Sequence, residues 1–156
     1  MTKPIDLSDT NSFNFWTPVT IRFSDQDELG HINNCSYLAY VEAGRVAFLG
    51  GLLHPVNHEG IDLILAHISV DYLKEGHYPG TIEVGSRILG LGNKSMTTGY
   101  GLFINNECKA TAKCVNIYFR PKTRETIVIP PDIRSQLETD PMQSARGINL
   151  EKSKKQ

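Results

Sequence analysis

The chain has 156 residues and a formal net charge of −1, with 40% hydrophobic and 21% charged residues. A chain of this length folds as one domain and buries enough surface to be stable without a disulfide or a metal. The balanced charge and the lack of a basic stripe argue against nucleic-acid binding. No apolar run approaches the roughly 18 residues of a membrane span, and the polar start has no signal-peptide core. We therefore expect a cytoplasmic protein without a membrane partner.

The first half of the chain predicts a strand, a loop and a long helix. Residues 1–14 are polar and predict a loosely ordered arm. Alternating apolar residues then indicate a strand over 15–23, followed by a loop over 24–33. A helix is predicted from Asn34 to about Leu49, with Asn33 or Asn34 as its N-cap. Its apolar residues cover more than one face, which indicates an enclosed helix, and Gly50-Gly51 predicts its end.

Four further strands are predicted over 61–73, 81–91, 95–104 and 107–119. Gly92-Asn93 and Asn105-Asn106 mark two antiparallel hairpins between them. On the last strand, alternation places Cys108 on the same face as Ala110, Ala112 and Cys114. A short helix is expected near 132–137, and the polar residues 143–156 predict a second loose tail. We therefore expect one α+β domain over 15–138, with an antiparallel sheet wrapped round one helix.

The densest group of polar residues lies just before the long helix. It comprises, in chain order, Arg22, Asp25, Asp27, Gly30, His31, Asn33, Asn34 and Tyr37. A helix N-terminus offers unpaired backbone N–H groups and a partial positive charge, and these can hold a developing oxyanion. A carboxylate folded back over that end would supply a base or a nucleophile. The segment therefore indicates acyl transfer.

Each residue also has a plainer interpretation. Asp27 is either catalytic or a brace for the turn, and Asp25 is expected to be a loop brace that accepts backbone N–H bonds. His31 is either a general acid or a water-positioning residue, or else a histidine packed in the loop and bonded to the backbone. Lys94-Ser95 either meets a coenzyme A phosphate or forms an ordinary hairpin turn.

We expect neither a cofactor nor a metal. His54, His58 and Glu59 lie close together in sequence, but Pro55 interrupts any helical spacing between the two histidines, and no other cluster has usable ligand spacing. The three cysteines are expected to be reduced thiols. Cys108 and Cys114 lie about 20 Å apart along one strand, too far to form a disulfide with each other.

The segment from Asp25 to Tyr37 resembles the signature Asp-x-Asp-x-x-Gly-His-Val/Ile-Asn-Asn-x-x-Tyr. This is the signature of hotdog-fold acyl-CoA thioesterases of the 4-hydroxybenzoyl-CoA thioesterase family. The resemblance extends over about 17–130 and includes the segments 70–73, 91–96 and 128–130. It implies the hotdog fold, a five-stranded antiparallel sheet round one long central helix. It also implies hydrolysis of an acyl-CoA thioester, with Asp27 as the catalytic carboxylate and the Asn34 N–H polarising the thioester carbonyl.

The chain is also similar to fatty acyl thioesterases that use the histidine of the signature, here His31. Those enzymes carry an asparagine two residues after the aspartate, where this chain has Leu29. The residues expected to bind substrate are Gly30, Asn33, Tyr37, Lys94 and Ser95. The resemblance further implies a homodimer or homotetramer with active sites shared between subunits. Two alternatives remain open, an acyl-thioester hydratase or dehydratase and a non-catalytic acyl-CoA-binding module.

Overall fold

The computed structural model describes residues 4–53 and 60–139. The strands are β1 Phe15–Thr20, β2 Asp62–Tyr72, β3 Thr81–Leu91, β4 Ser95–Ile104, β5 Glu107–Arg120 and the short β6 Glu125–Thr126. The helices are α1 Asn34–Leu53 and α2 Pro131–Thr139, with 3₁₀ turns at Thr10–Ser12 and Phe23–Asp25. His54, His58, Glu59 and the tail predicted over 143–156 lie outside the described residues. Within the described ranges, no helix is long and apolar enough to cross a membrane.

The strands form one antiparallel sheet in the order β1-β3-β4-β5-β2, and β6 adds to the end of β5. Both predicted hairpins are confirmed, because β3 pairs with β4 and β4 with β5. Asn105 and Asn106 have φ values of 50° and 64°, the left-handed conformation that a two-residue hairpin turn needs. The sheet with its single long helix is the hotdog arrangement, so the predicted fold is confirmed.

The helix α1 packs on one face of the sheet, which we call the inner face, over β1, β3 and β4. It approaches the sheet closely at Gly44, where a Cβ would lie only 2.4 Å from Val84 Cγ1. The predicted end at Gly50-Gly51 is wrong, since the helix continues to Leu53. The expected full enclosure is also wrong for this chain alone. Leu38 is 39% exposed and Val46 is 59% exposed, so one side of α1 is open.

A buried polar network links α1 to the inner face. Arg45 donates from Nε to Asn116 Oδ1 at 2.7 Å. Asn116 Nδ2 in turn donates to Thr98 Oγ1 at 3.0 Å, and Thr98 shares a hydrogen bond of 2.8 Å with the Tyr100 hydroxyl. Because Asn116, Thr98 and Tyr100 are inaccessible to solvent, each bond satisfies a polar group that would otherwise be costly to bury.

The N-terminal strap, residues 4–14, packs on the opposite, outer face of the sheet over β3 and β4. Leu7 and Phe13 are buried there against Phe103, and Phe13 packs on Gly85, where a side chain would clash with its ring. Arg87 Nη1 donates to the Ser12 carbonyl at 2.9 Å. The prediction of a loose arm is therefore wrong for these residues, because their two large apolar side chains find a complementary surface.

The face assignment of Cys108 is also wrong. The register of β4 and β5 shifts between Leu102, which pairs with Ala110, and Phe103, which pairs with Cys108. This bulge moves Cys108 to the outer face beside Phe103, while Ala110 stays in the inner cluster. A one-residue insertion reverses the alternation on which the assignment depended.

Candidate active site

The loop before α1 is built round Asp25, which is 1% exposed. Its carboxylate accepts hydrogen bonds from the Arg22 backbone N–H at 2.8 Å and from Arg22 Nε at 3.0 Å. The Tyr40 hydroxyl donates to the same carboxylate at 2.7 Å, and the Asp25 carbonyl accepts the Asn33 N–H at 2.8 Å. The prediction that Asp25 is a loop brace is confirmed.

These contacts also fix the charge state of the brace. Burial alone would raise the pKa of Asp25, but the hydrogen bonds from Arg22 and Tyr40 outweigh it and hold the pKa below its usual value. The same environment raises the pKa of the Tyr40 phenol, through burial and through the adjacent carboxylate. Asp25 is thus an ionised group, and both of its carboxylate oxygens are already occupied by hydrogen bonds from Arg22 and Tyr40.

Asp27 has a different environment two residues later. It is exposed, and its Oδ1 accepts the backbone N–H groups of Leu29 at 2.9 Å and His31 at 3.2 Å. These bonds orient the carboxylate within a turn that Gly30 closes with a φ of 76°. In the described part of the chain no donor contacts the second oxygen, Oδ2. Asp27 is therefore both a turn brace and a carboxylate with one oxygen available.

The N-terminus of α1 begins beside this turn. Asn33 is confirmed as the N-cap, since its Oδ1 accepts the Cys35 N–H at 2.8 Å. The N–H of Asn34 lies in the first turn, where helix geometry offers no acceptor, and among the described residues it has no hydrogen-bond partner. The helix dipole adds a partial positive charge at this end. An N–H donor is thus available for an anionic oxygen.

A cavity of about 250 Å³ joins the two features. Asp27 and Asn34 both line it, and Tyr37 and Ile32 are the most deeply buried of its lining residues. Burial raises the pKa of the Tyr37 phenol, so this group stays protonated at neutral pH. Tyr72 also lines the cavity and donates from its hydroxyl to the Asn34 carbonyl at 3.0 Å.

His31 lies at the mouth of the cavity in a group that sequence spacing did not reveal. Its Nε2 is 2.5 Å from Glu75 Oε2, and His77 Nε2 is 3.9 Å from the same oxygen. The ligand atoms of the three side chains all lie within 4.8 Å of one another. His31 is 38% exposed and faces a carboxylate, so its side chain is not packed inside the loop.

The remaining predicted site residues lie elsewhere. Gly30 shapes the turn and Asn33 caps the helix, and neither lines the cavity. Lys94 and Ser95 lie at the far end of the sheet, because Ser95 pairs with Ile117 whereas the cavity end of β5 is near Lys109. Those two positions on β5 are about 26 Å apart along the strand. In one chain, Lys94 and Ser95 do not meet Asp27.

Three residues of this region were missed from sequence as site residues: Tyr72, Glu75 and His77. They come from the end of β2 and the loop after it, about 40 residues beyond the signature. The Ile32 N–H bonds the Gly76 carbonyl at 2.8 Å and holds that loop against the signature. The sequence does contain Glu75 and His77 two residues apart, but such a pair indicates a site only when a third residue, here His31, is known to lie beside it.

Comparison with known proteins supports the fold and shows the family. A family model described as the thioesterase-like superfamily matches residues 21–137. A structure titled as a thioesterase complexed with coenzyme A and Zn, from Thermus thermophilus, is 29% identical with a TM-score of 0.70 and covers 79% of this chain and 96% of that one. A protein titled a predicted thioesterase, from Bacillus stearothermophilus, is 29% identical with a TM-score of 0.72 and covers 80% and 94%.

Among curated proteins, a putative acyl-CoA thioesterase of Bacillus subtilis, YneP, is 26% identical over 54% of this chain and 64% of its own length. The chain spans about three fifths of the length of the curated relatives that it matches. The antiparallel sheet with its one long helix defines a hotdog protein. The chain belongs to the thioesterase-like superfamily.

Proposed function

We propose that this protein hydrolyses acyl-CoA thioesters to the free acid and coenzyme A. One observation carries the proposal. Asp27, whose carboxylate has a free oxygen, and Asn34, whose N–H is unpaired, line the same cavity at the start of α1. A base or nucleophile beside a preorganised oxyanion donor is the minimum set that acyl transfer needs. The names of the structural relatives and the coenzyme A in one of them support the same reaction.

In this mechanism the thioester carbonyl oxygen accepts the Asn34 N–H. Asp27 either removes a proton from water as the water attacks the carbonyl carbon, or attacks that carbon itself and is later released by water. The C–S bond breaks in both routes, and the thiolate leaves and is protonated. A single oxyanion donor of this type contributes roughly 2.7–4 kcal/mol to lowering the barrier. His31 lines the cavity beside Glu75, and in this proposal it positions water or returns the proton to sulfur.

We further propose that the working unit is a homodimer or a homotetramer. β2 is an edge strand, and its free edge pairs with no strand among the described residues. Its exposed side chains include Ile64 at 41% and Leu65 at 43%. An open, apolar edge is a template for pairing with a second copy, and a two-fold axis is the commonest way of closing it.

Antiparallel pairing of two β2 strands would bring distant residues to each active site. It sets the cavity end of one β2 against the Asp62 end of the partner strand. Lys94 and Ser95 of the partner then lie three strands away, about 14 Å at the usual strand spacing. Exposed Arg120, Lys122 and Arg124 lie at the same end of the sheet. This places positive charge within reach of the coenzyme A phosphates.

A thiol-release assay over a panel of acyl-CoAs tests the reaction. Steady turnover that yields free acid and coenzyme A in equal amounts is the expected result. Binding without thiol release on every substrate would favour an acyl-CoA-binding module. Addition of water to an enoyl-CoA without thiol release would favour a hydratase. The panel should include short, long and aromatic acyl groups, and an acyl carrier protein thioester to identify the thiol carrier.

A further inference from the structure

The structure brings together two imidazoles and a carboxylate that no part of the proposed reaction requires as a set. They are His31 in the signature loop, and Glu75 and His77 in the loop between β2 and β3. The side-chain exposures of the three are 38%, 60% and 56%, so a cation can reach them from solvent. We propose that these three residues form a binding site for a zinc-class divalent ion at the mouth of the cavity.

The distances suit such an ion after small side-chain rotations. Around a tetrahedral zinc with bonds of about 2.1 Å, ligand atoms lie about 3.4 Å apart. Here the two separations from Glu75 Oε2 are 2.5 Å to His31 and 3.9 Å to His77, values that bracket this spacing. Three protein ligands leave a fourth position for water, as in open zinc sites. Nitrogen ligands disfavour magnesium and calcium, which prefer oxygen.

A hydrogen bond to the backbone determines which nitrogen of His77 is available as a ligand. Its Nδ1 lies 3.1 Å from the Gly30 carbonyl. A carbonyl only accepts, so Nδ1 carries the proton and the lone pair of the neutral ring is on Nε2, which points to Glu75. A histidine that binds metal through one nitrogen and donates from the other to a carbonyl is the common arrangement in metalloproteins.

The two loops that carry the ligands are also tied together without the metal. The Ile32 N–H donates to the Gly76 carbonyl at 2.8 Å, between the positions of Glu75 and His77. The start of the second loop is anchored as well, since the N–H groups of Leu73 and Lys74 both bond the Lys109 carbonyl, at 2.9 and 3.1 Å. The backbone of the site is therefore held in place before an ion arrives, which favours binding.

Occupation of the site would inhibit hydrolysis, a consequence that rests on the proposed function. His31 lines the cavity with Asp27. An ion on His31 Nε2 removes that nitrogen from proton transfer and sets a charged, hydrated group at the cavity mouth. We therefore expect zinc to be a reversible inhibitor rather than a requirement, and chelator treatment to leave the zinc-free rate unchanged.

Calorimetric titration with zinc chloride tests the site without any need for turnover. The chain has five histidines. A triple variant, His54→Gln/His58→Gln/His67→Gln, therefore keeps only the two histidines of the proposed site. This triple variant is the reference and is expected to bind one zinc per chain. Adding His77→Gln or Glu75→Gln should weaken binding at least about 100-fold, since outer contacts alone account for roughly 10–100-fold.

The same titration defines failure. No zinc binding by the triple variant, or unchanged affinity after His77→Gln and Glu75→Gln, would overturn the site. Both residues are exposed, so their variants should keep the wild-type melting curve. Cobalt provides a check on ligand identity, because a thiolate charge-transfer band would show that Cys35 binds the ion instead of the proposed set.

Zinc titration of the hydrolysis rate tests the inhibition. Each protein is compared with its own zinc-free rate, and His77→Gln should need at least about 100-fold more zinc for the same inhibition. Activation by zinc, or loss of activity on chelation, would overturn the inhibitory role. If wild type hydrolyses no acyl-CoA, the proposed function fails, while the calorimetry still decides the metal site.

Discussion

Asp25 and Asp27 show how two carboxylates two residues apart can differ in use. Asp25 is buried and accepts hydrogen bonds from Arg22 and Tyr40, so its charge holds the loop together. Asp27 is exposed, with one oxygen held by backbone N–H groups and the other free at a cavity. The same side chain is thus structural at one position and suited to chemistry at the other.

Asp27→Asn is expected to lower kcat by at least about 100-fold, the low end for loss of general-base chemistry. An amide accepts the N–H bonds of Leu29 and His31 as the carboxylate does, so the turn should persist. Steady-state kinetics on the best acyl-CoA of the panel and a melting curve measure the two effects. Turnover near the wild-type rate would remove Asp27 from the mechanism.

Asp25→Asn is expected to lower the free energy of unfolding by about 1.5–3 kcal/mol, the range for hydrogen bonds to charged groups, and to change kcat less than Asp27→Asn. The folded pKa of Asp25 is depressed. Its stabilisation is therefore complete above the unfolded value of about 3.9 and is lost as pH falls through the lower folded value. Urea unfolding at neutral and acidic pH should show the two proteins converging in acid. A large loss of kcat at unchanged stability would instead place Asp25 in the chemistry.

The contiguous part of the candidate site could be predicted from the sequence, and the assembled part could not. Asp27, His31, Asn34 and Tyr37 lie within eleven consecutive residues, and a single loop and helix start are enough to bring them together. Glu75 and His77 reach His31 only through pairing between distant loops. Rules of ligand spacing detect neighbours along one element, so they missed a group divided between two loops.

At the scale of elements, the helix α1 shows where local rules fail. Gly50-Gly51 is a usual helix end, yet a glycine inside a helix costs only about 1 kcal/mol. Burial of Phe48 and Leu49, just before the two glycines, stabilises this part of the helix and offsets that cost. The bounds of β3 and β4 were predicted correctly, because alternation is strong in both, whereas β1 ends at Thr20, before the predicted end at residue 23. The bulge that moved Cys108 depends on cross-strand register, which no single strand encodes.

Gly44 and Gly50 provide a matched pair for testing how closely α1 approaches the sheet. Gly44→Ala should destabilise the protein by about 1–3 kcal/mol, because its Cβ would meet Val84 Cγ1 at 2.4 Å. Gly50→Ala should be neutral or stabilising by about 0.5–1 kcal/mol, since nothing lies within 4 Å of its Cβ. Chemical unfolding of both variants measures the difference. Equal stability of the two would refute the close contact at Gly44.

At the scale of the whole molecule, the open β2 edge predicts active sites shared between two chains. Asp27→Asn protein and a Lys94→Ala/Ser95→Ala double variant are each expected to be poorly active. A heterodimer of the two contains one site with both intact halves, so purified heterodimers from co-expression should regain activity towards half that of wild type. Heterodimers between two differently tagged Asp27→Asn chains are the control and should stay inactive. An active monomer by light scattering, or no rescue in verified heterodimers, would refute the shared site.

The N-terminal strap has a consequence for how such dimers associate further. Residues 4–14 lie on the outer face and precede the region that the family model matches. Because the strap continues directly into β1, it is an intramolecular competitor for that face, with an effective concentration in the millimolar range expected of short tethers. A second molecule at micromolar concentration competes poorly for the same apolar surface. If the working unit is the proposed dimer, we therefore expect the strap to oppose sheet-to-sheet stacking of two dimers over β3 and β4.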